Sequence, residues 1–254
     1  MKIHFLGTGS GTEPLEGVYH QSLAIETRDA LYFFDAGEGC SRRAYLKGLA
    51  LLKTKAIFIS HTHMDHVGGL GNLLWNMRKI HSNIGNIGEV CPKKVYIPNI
   101  STYSAVMTIL KNSEGGYNTS FDVDGIEYTE GTIYKDDSLT VTAFPNAHMG
   151  MFPYRSYSFK IECDGKTIIY SGDITSLSEL DKAVDDGCDM LLSETGHIRI
   201  KDVCEYARKN KIQTLCFTHN SRELINKPET SIAYIREIFG KEAIIAQDKM
   251  TIDF

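Results

Sequence analysis

Apolar residues in this chain gather in short runs of strand length, at 2–6, 22–26, 30–35, 56–59, 95–97, 133–135, 139–144, 157–163, 167–170, 190–192, 214–217 and 243–246. Most are bounded by Gly, Pro, Asn or Asp, which is the signature of buried or half-buried strands. Between them, apolar residues recur at helical spacing: Leu70, Leu73, Leu74 and Met77, then Tyr103, Val106, Met107 and Leu110. Two later stripes are Ile200, Val203, Cys204 and Ala207, and Ile232, Ile235 and Phe239, the last stopped by Gly240. A helix is also expected over 38–47, ending near Gly48. Asp164-Gly165 predicts a tight hairpin. Ser176 and Glu179 have the spacing of a capping box, and 81–94 and 112–120 read as loops. Strands with intervening helices in both halves predict an α/β protein, a four-layer αββα sandwich of two packed mixed sheets with outer helices. No linker interrupts the pattern, so residues 1–254 are expected to form a single domain of two similar halves.

Composition narrows the class. The chain has 254 residues, 42% of them apolar and 23% charged, an ordinary globular balance without a run long enough for a membrane span. The first residues read straight into a strand rather than a signal peptide, which sets a cytoplasmic expectation. Six cysteines are scattered without a Cys-x-x-Cys pair, which argues for small core hydrophobes over disulfides or a thiolate metal site. A net charge of −5 argues against general nucleic-acid binding. Within residues 39–64, however, Arg42, Arg43, Lys47, Lys53 and Lys55 meet no acidic residue. A solvated helix face is preferred over a phosphate-facing surface for that run.

The chemistry is concentrated in His61-Thr62-His63-Met64-Asp65-His66, which follows the run at 56–59 and precedes Gly68-Gly69. Three imidazoles and a carboxylate on one tight loop would be costly to bury unpaired, and a divalent cation removes that cost. The donor set suits zinc, manganese or iron. His148, Asp173 and His219 each stand just past an apolar run too, which places them at the same kind of strand end and supplies what a two-metal site needs. The glycine loop Gly7-Thr8-Gly9-Ser10-Gly11-Thr12 does not open a helix, so a dinucleotide or P-loop reading is rejected in favour of a turn beside the site.

The His-x-His-x-Asp-His pattern, together with Asp35, His148, Asp173 and His219 in that order, resembles the metallo-β-lactamase superfamily over the whole chain. The opening Phe5-Leu6-Gly7-Thr8-Gly9-Ser10, Pro145 shortly before His148, and the ending at 244–252 are most similar to its tRNase Z-like branch, which includes phosphodiesterases. The resemblance implies two divalent ions, Zn2+ first and Mn2+ or Fe2+ as alternatives. His61, His63 and His148 would hold one, Asp65, His66 and His219 the other, and Asp173 would bridge them. Asp65 would orient or deprotonate an attacking water held between the ions, and Asp35 would fix ring orientations. His4, His20 and His81 have no counterpart role.

The departures from that branch matter as much. Where it has His-Glu-Ala-Thr, this chain has Ser193-Glu194-Thr195-Gly196-His197. His197 would then be the proton donor to the leaving group, oriented by Glu194. The arm that grips tRNA has no counterpart, which argues against tRNA 3′ processing and leaves nucleic acid an open partner. Met149, Met151, Phe152, Tyr154 and Arg155 are expected to form an apolar rim with one cation beside the metals. The leading expectation is hydrolysis of a phosphodiester or phosphate-bearing small molecule, nucleotide-like, away from membranes. Alternatives are hydrolysis of a carboxylic ester, thioester or lactone, or metal binding without turnover. A homodimer is the branch's usual assembly.

Overall fold

The structure is a computed structural model describing all residues except 85–89, 114–115 and 151–154. Its contacts divide the chain into two compact units: Met1–Gly7 with Leu15–Tyr128 and Asp248–Phe254, and Thr8–Pro14 with Thr129–Gln247.

The first unit is built from β1 (Lys2–Gly7), β2 (Ser22–Glu26), β3 (Leu31–Phe34), α1 (Cys40–Leu46), β4 (Thr54–Phe58), α2 (Met64–Val67), α3 (Leu70–Ile84), β5 (Lys93–Ile97), α4 (Ile100–Lys111) and β6 (Val123–Glu127). The second carries β7 (Gly131–Lys135), β8 (Leu139–Asn146), β9 (Ser156–Cys163), β10 (Lys166–Tyr170), α5 (Asp181–Val184), β11 (Met190–Ser193), α6 (Ile200–Lys209), β12 (Thr214–Phe217), α7 (Arg222–Asn226), α8 (Pro228–Phe239) and β13 (Ile244–Ile245). The chain ends in β14 (Thr251–Asp253), which returns to the first unit.

Each unit holds one seven-stranded mixed sheet, in the orders β14-β1-β2-β3-β4-β5-β6 and β13-β12-β11-β10-β9-β8-β7. The halves are alike in pattern. In the first sheet β14, β1, β2 and β3 pair antiparallel, and β3 to β6 pair parallel. In the second, β7 to β10 pair antiparallel and β10 to β13 parallel. Parallel strands need helical crossovers, and those helices cover the apolar rows of the sheet. Leu70, Leu73, Leu74 and Met77 of α3 are fully buried in one core with Phe33, Ile57 and Val95. Burying four such side chains is worth roughly 6–12 kcal/mol as an upper figure. Val203, Cys204 and Ala207 of α6 and Ile235 and Phe239 of α8 do the same for the second sheet, against Ile169, Leu191 and Leu215.

Several expectations are corrected. Residues 81–84 continue α3 rather than opening a loop, because the 3.6-residue periodicity persists to its end. β8 runs through Pro145, which lies past Ala143, the last residue paired with β7, so no ladder bond on that side needs its missing N–H. β6 and β14 were not expected as strands. Val123-Asp-Gly-Ile-Glu and Thr-Ile-Asp are too short and too polar to read as buried runs, and they are edge strands. The strand expected at 243–246 forms as β13, and β14 follows it as a further strand in the other unit. Ser176 caps the amide of Ser178, while Glu179 bonds Thr175, so the capping box gives way to a 3-10 turn over Leu177–Leu180. The Asp164-Gly165 hairpin forms as expected, with φ of 51° and 73°.

The cysteines behave as core residues. Cys40, Cys163, Cys188, Cys204 and Cys216 are buried and all six are free; burial pushes the Cys40 thiol up to about 12. In the basic run, Arg43 is anchored: it pairs with Asp248 at 3.1 Å, donates to Gly17 O and lies over the Tyr19 ring. No helix among the described residues is long and apolar enough to cross a membrane.

Candidate metal centre

The candidate residues stand at the carboxyl ends of strands, where open α/β sheets present their functional loops. In the first unit, Asp35 follows β3, and His61 to His66 follow β4. His61 and His63 lie on an extended loop, while Asp65 and His66 sit on the single helical turn α2, with His63 at its N-cap. The sequence placed all four on a loop. The turn forms because the amides of His66 and Val67 close on His63 O.

Asp35 is fully buried, with φ 57°, and organises this half. Its Oδ1 accepts from the Ser60 amide at 2.7 Å, and its Oδ2 accepts from Ser60 Oγ at 2.9 Å and from His66 Nδ1 at 2.8 Å. A carboxylate accepts, so His66 donates from Nδ1 and turns Nε2 away from Asp35. The Ser60 hydroxyl proton is committed to Asp35, so Ser60 Oγ accepts from His61 Nδ1 at 3.0 Å. His61 therefore turns its Nε2 to His63 Nδ1, 3.1 Å away. His66 Nε2 lies 3.4 Å from Asp65 Oδ2. Two pairs of metal-capable atoms thus converge, which is an arrangement a cation can bring together. Gly37 keeps the neighbouring loop close: a Cβ there would stand 2.3 Å from Asp65 O.

In the second unit four strand ends contribute. His148 follows β8, Asp173 follows β10, Glu194 and His197 follow β11, and His219 follows β12. Asp173 turns its two oxygens to different rings, Oδ2 3.6 Å from His148 Nε2 and Oδ1 3.4 Å from His219 Nδ1. Asp173, Glu194, His197 and His219 bring ligand atoms within 4.8 Å of one another. His219 has φ 49°, an uncommon conformation for a histidine. The glycine loop flanks it: Asn220 N donates to Thr8 O at 2.6 Å and Ser10 N to Asn220 O. A Cβ on Gly196 would stand 2.9 Å from the His219 ring.

Glu194 organises this half as Asp35 does the other. It is fully buried; Oε1 accepts from the Ile174 amide at 2.7 Å, and Oε2 from the His197 amide at 2.8 Å and from His197 Nδ1 at 2.9 Å. Burial opposes its charge, but the bonds from His197 and His219 outweigh that and hold its pKa below the usual range. The bond to Glu194 in turn raises the His197 pKa against its partial burial. With Nδ1 committed, Nε2 is the nitrogen of His197 free to exchange a proton. Sequence reasoning placed Ser60 only in the strand that delivers the loop; a serine just before the first ligand carried no signal of its own.

The other histidines are structural or peripheral. His4 bonds Thr251 Oγ1 and Glu26 Oε2, each at 3.0 Å, and His81 contacts Ser120 at the surface. His20 lies 3.9 Å from Glu38. Of the expected apolar rim, Met151, Phe152 and Tyr154 lie outside the described residues.

The chain is 24% identical to a ribonuclease Z of Methanothermobacter thermautotrophicus, over 100% of this chain and 96% of that protein. Among solved structures it is similar to the metallo-β-lactamase fold protein YhfI of Bacillus subtilis, with a TM-score of 0.76, 17% identity and 99% of both chains covered. It is also similar to a diphosphatase from the PhnP family, with a TM-score of 0.71, 17% identity, 100% of this chain and 97% of that one. The fold is thus the α/β sandwich of the metallo-β-lactamase superfamily, in its tRNase Z-like branch, and the protein is a metal-dependent hydrolase. Within that superfamily residues 1–233 match the family described as Anti-Pycsar protein Apyc1, and the chain belongs to it.

Proposed function

We propose that residues 1–254 act as one hydrolase domain on a small, nucleotide-like phosphodiester, using two divalent ions, Zn2+ first with Mn2+ or Fe2+ as alternatives. His61, His63 and His148 would hold one ion, Asp65, His66 and His219 the other, and Asp173 would serve both. The observation that carries this reading is Asp173, whose two oxygens address two different imidazoles, His148 and His219. The paired donors on 61–66, fixed in tautomer by Asp35, support the same assignment.

When bound, two such ions polarise the phosphoryl oxygens and lower the pKa of a shared water to about 7. The remaining work belongs to the chain. Asp65 orients the attacking water and accepts its proton. Asp35 holds His61 and His66 in the ligating tautomer through Ser60. His197, whose pKa is raised by its bond to Glu194, delivers a proton from Nε2 to the leaving oxygen. A ribonuclease and a diphosphatase among the similar proteins favour phosphorus over a carboxylic carbon as the electrophile. The setting proposed is the cytoplasm, and the partner is the substrate rather than a membrane or a long nucleic acid.

Hydrolysis of bis(p-nitrophenyl) phosphate by zinc- or manganese-loaded protein tests this, with Asp65→Ala as control. Turnover that is lost in the variant and in excess chelator is expected. No turnover by fully metallated protein, with lactone or thioester cleavage instead, would replace the phosphodiester reading.

A further inference from the structure

Asp173, Glu194, His197 and His219 follow β10, β11 and β12, all inside the second unit. Two of the four, Glu194 and His197, take no part in holding the ions proposed above. Yet the distances among the four are those of a coordination shell. His219 Nδ1 lies 3.4 Å from Asp173 Oδ1 and 3.6 Å from Glu194 Oε2, and His197 Nδ1 lies 3.7 Å from Asp173 Oδ2. A tetrahedral zinc ion with bonds of about 2.0–2.2 Å sets its ligands roughly 3.3–3.6 Å apart. The remaining spacing, His197 Nδ1 to Glu194 Oε2, is 2.9 Å because a hydrogen lies between them. Two carboxylates and two imidazoles also balance the charge of a dication.

The local chain holds these donors in place. Glu194 is tied to the backbone on both oxygens, by the Ile174 amide at 2.7 Å and the His197 amide at 2.8 Å. Gly196 lets the turn pass close to His219, since a Cβ there would stand 2.9 Å from its Nδ1. Asp173, Glu194 and His219 are buried, whereas the His197 side chain is 43% exposed. His197 borders a cavity of about 600 Å3 between its own turn and α8, whose lining carries the carboxylate of Glu223 as well as Lys201 and Lys227. The cluster thus opens to solvent through one ring and a polar mouth.

We infer that these four residues form a divalent-cation seat of their own, distinct from the proposed pair though it shares Asp173 and His219 with it, which Zn2+ fills when metal is in excess. The seat is the weaker one, because filling it breaks the bond from His197 to Glu194 and draws on donors the pair also uses. Sitting in the seat and proton donation by His197 exclude each other: the ion takes the position of the Nδ1 hydrogen. Excess metal therefore switches the site off. That consequence rests on the phosphodiesterase reading; the seat itself does not.

The test titrates cadmium, a zinc surrogate with a magnetic nucleus, into the full chain carrying isotope-labelled histidine rings. Scalar coupling from cadmium to His197 Nδ1 is expected once metal exceeds the pair, the signal being identified by its loss in His197→Ala. Glu194→Gln should weaken this binding about 10–100-fold. No coupling to His197 at any ratio overturns the seat, and that result is read on the unaltered protein, so it does not depend on a variant folding. Hydrolysis of bis(p-nitrophenyl) phosphate should fall about a hundredfold as zinc fills the seat. A full rate with His197 bound to metal overturns the switch. If the protein cleaves no phosphodiester, that reading fails, and the coupling to His197 alone decides the seat.

Discussion

The two clusters of candidate donors, one in each unit, solve one problem differently. In the first unit the donors are consecutive, His61 to His66, and a single carboxylate, Asp35, aligns them from a neighbouring strand. In the second the donors come from β8, β10, β11 and β12, and the aligning carboxylate, Glu194, lies within the cluster itself. Both acids are fully buried and both are saturated with hydrogen bonds. The difference is what each holds: Asp35 aligns His66 directly and His61 through Ser60, the rings proposed as ligands, whereas Glu194 aligns His197, the ring proposed to move a proton. The first half should therefore fail in assembly, the second in turnover.

The largest effect should come from Asp35→Ala. It strands the Ser60 amide, the Ser60 hydroxyl and His66 Nδ1 in a dry interior, at a cost of about 3–5 kcal/mol. Urea titration should show it, and metal analysis should show lost occupancy. A variant that keeps both its stability and its metal would break the comparison. Gly37→Ala comes next. Its Cβ would collide with the carbonyl of Asp65, which is backbone and cannot swing away, so about 1–3 kcal/mol of stability should be lost.

In the second half, Glu194→Gln keeps the volume but removes the charge that His197 leans on. We expect a loss of about 1–3 kcal/mol. The sharper readout is the pH–rate profile: its limb assigned to His197 should move to lower pH, because the bond from Glu194 is the main cause of the raised value. Unchanged pH dependence would detach His197 from proton transfer. Gly196→Ala should act more narrowly still. Its Cβ meets the His219 ring rather than backbone, so the fold tolerates it while metal affinity falls about 10–100-fold. Metal titration against stability measurements separates the two effects.

The smallest effect concerns the first sheet alone. Burial lowers the His4 pKa, more than its bond to Glu26 raises it. The unfolded chain then binds a proton more readily than the folded one between that lowered value and the ordinary 6.5. Stability of the first unit should thus decline as pH falls below 6.5 and level off below the lowered value. His4→Gln should flatten this slope in urea titrations at several pH values, without altering the second unit's response.

The same contrast explains what the sequence made legible. His61 to His66 announce themselves because their spacing is local and follows a clear apolar run. His148, Asp173 and His219 are single residues after separate strands, and only their recurrence at strand ends, with the family resemblance, assembles them. Glu194 was readable as a partner to His197 by proximity in the chain, but not as a fully buried hub with bonds from Ile174 and His197 together. β6 and β14 stayed hidden because edge strands need no apolar row; their identity is set by the neighbours they pair with, β5 and β1. The cavity along α8 was likewise unreadable, since it exists only once α8 faces the turn carrying His197.

The Ser60 relay carries one further consequence, for the proton inventory of metal loading. His61 and His66 already hold hydrogens on Nδ1, through Ser60 and Asp35, and present Nε2 as the nitrogen an ion would meet. Neither ring has to shed or relocate a proton when an ion arrives. Metal uptake above the ordinary imidazole pKa of about 6.5 should therefore release little acid from these two rings, and their share of the measured heat should depend only weakly on the ionisation enthalpy of the buffer.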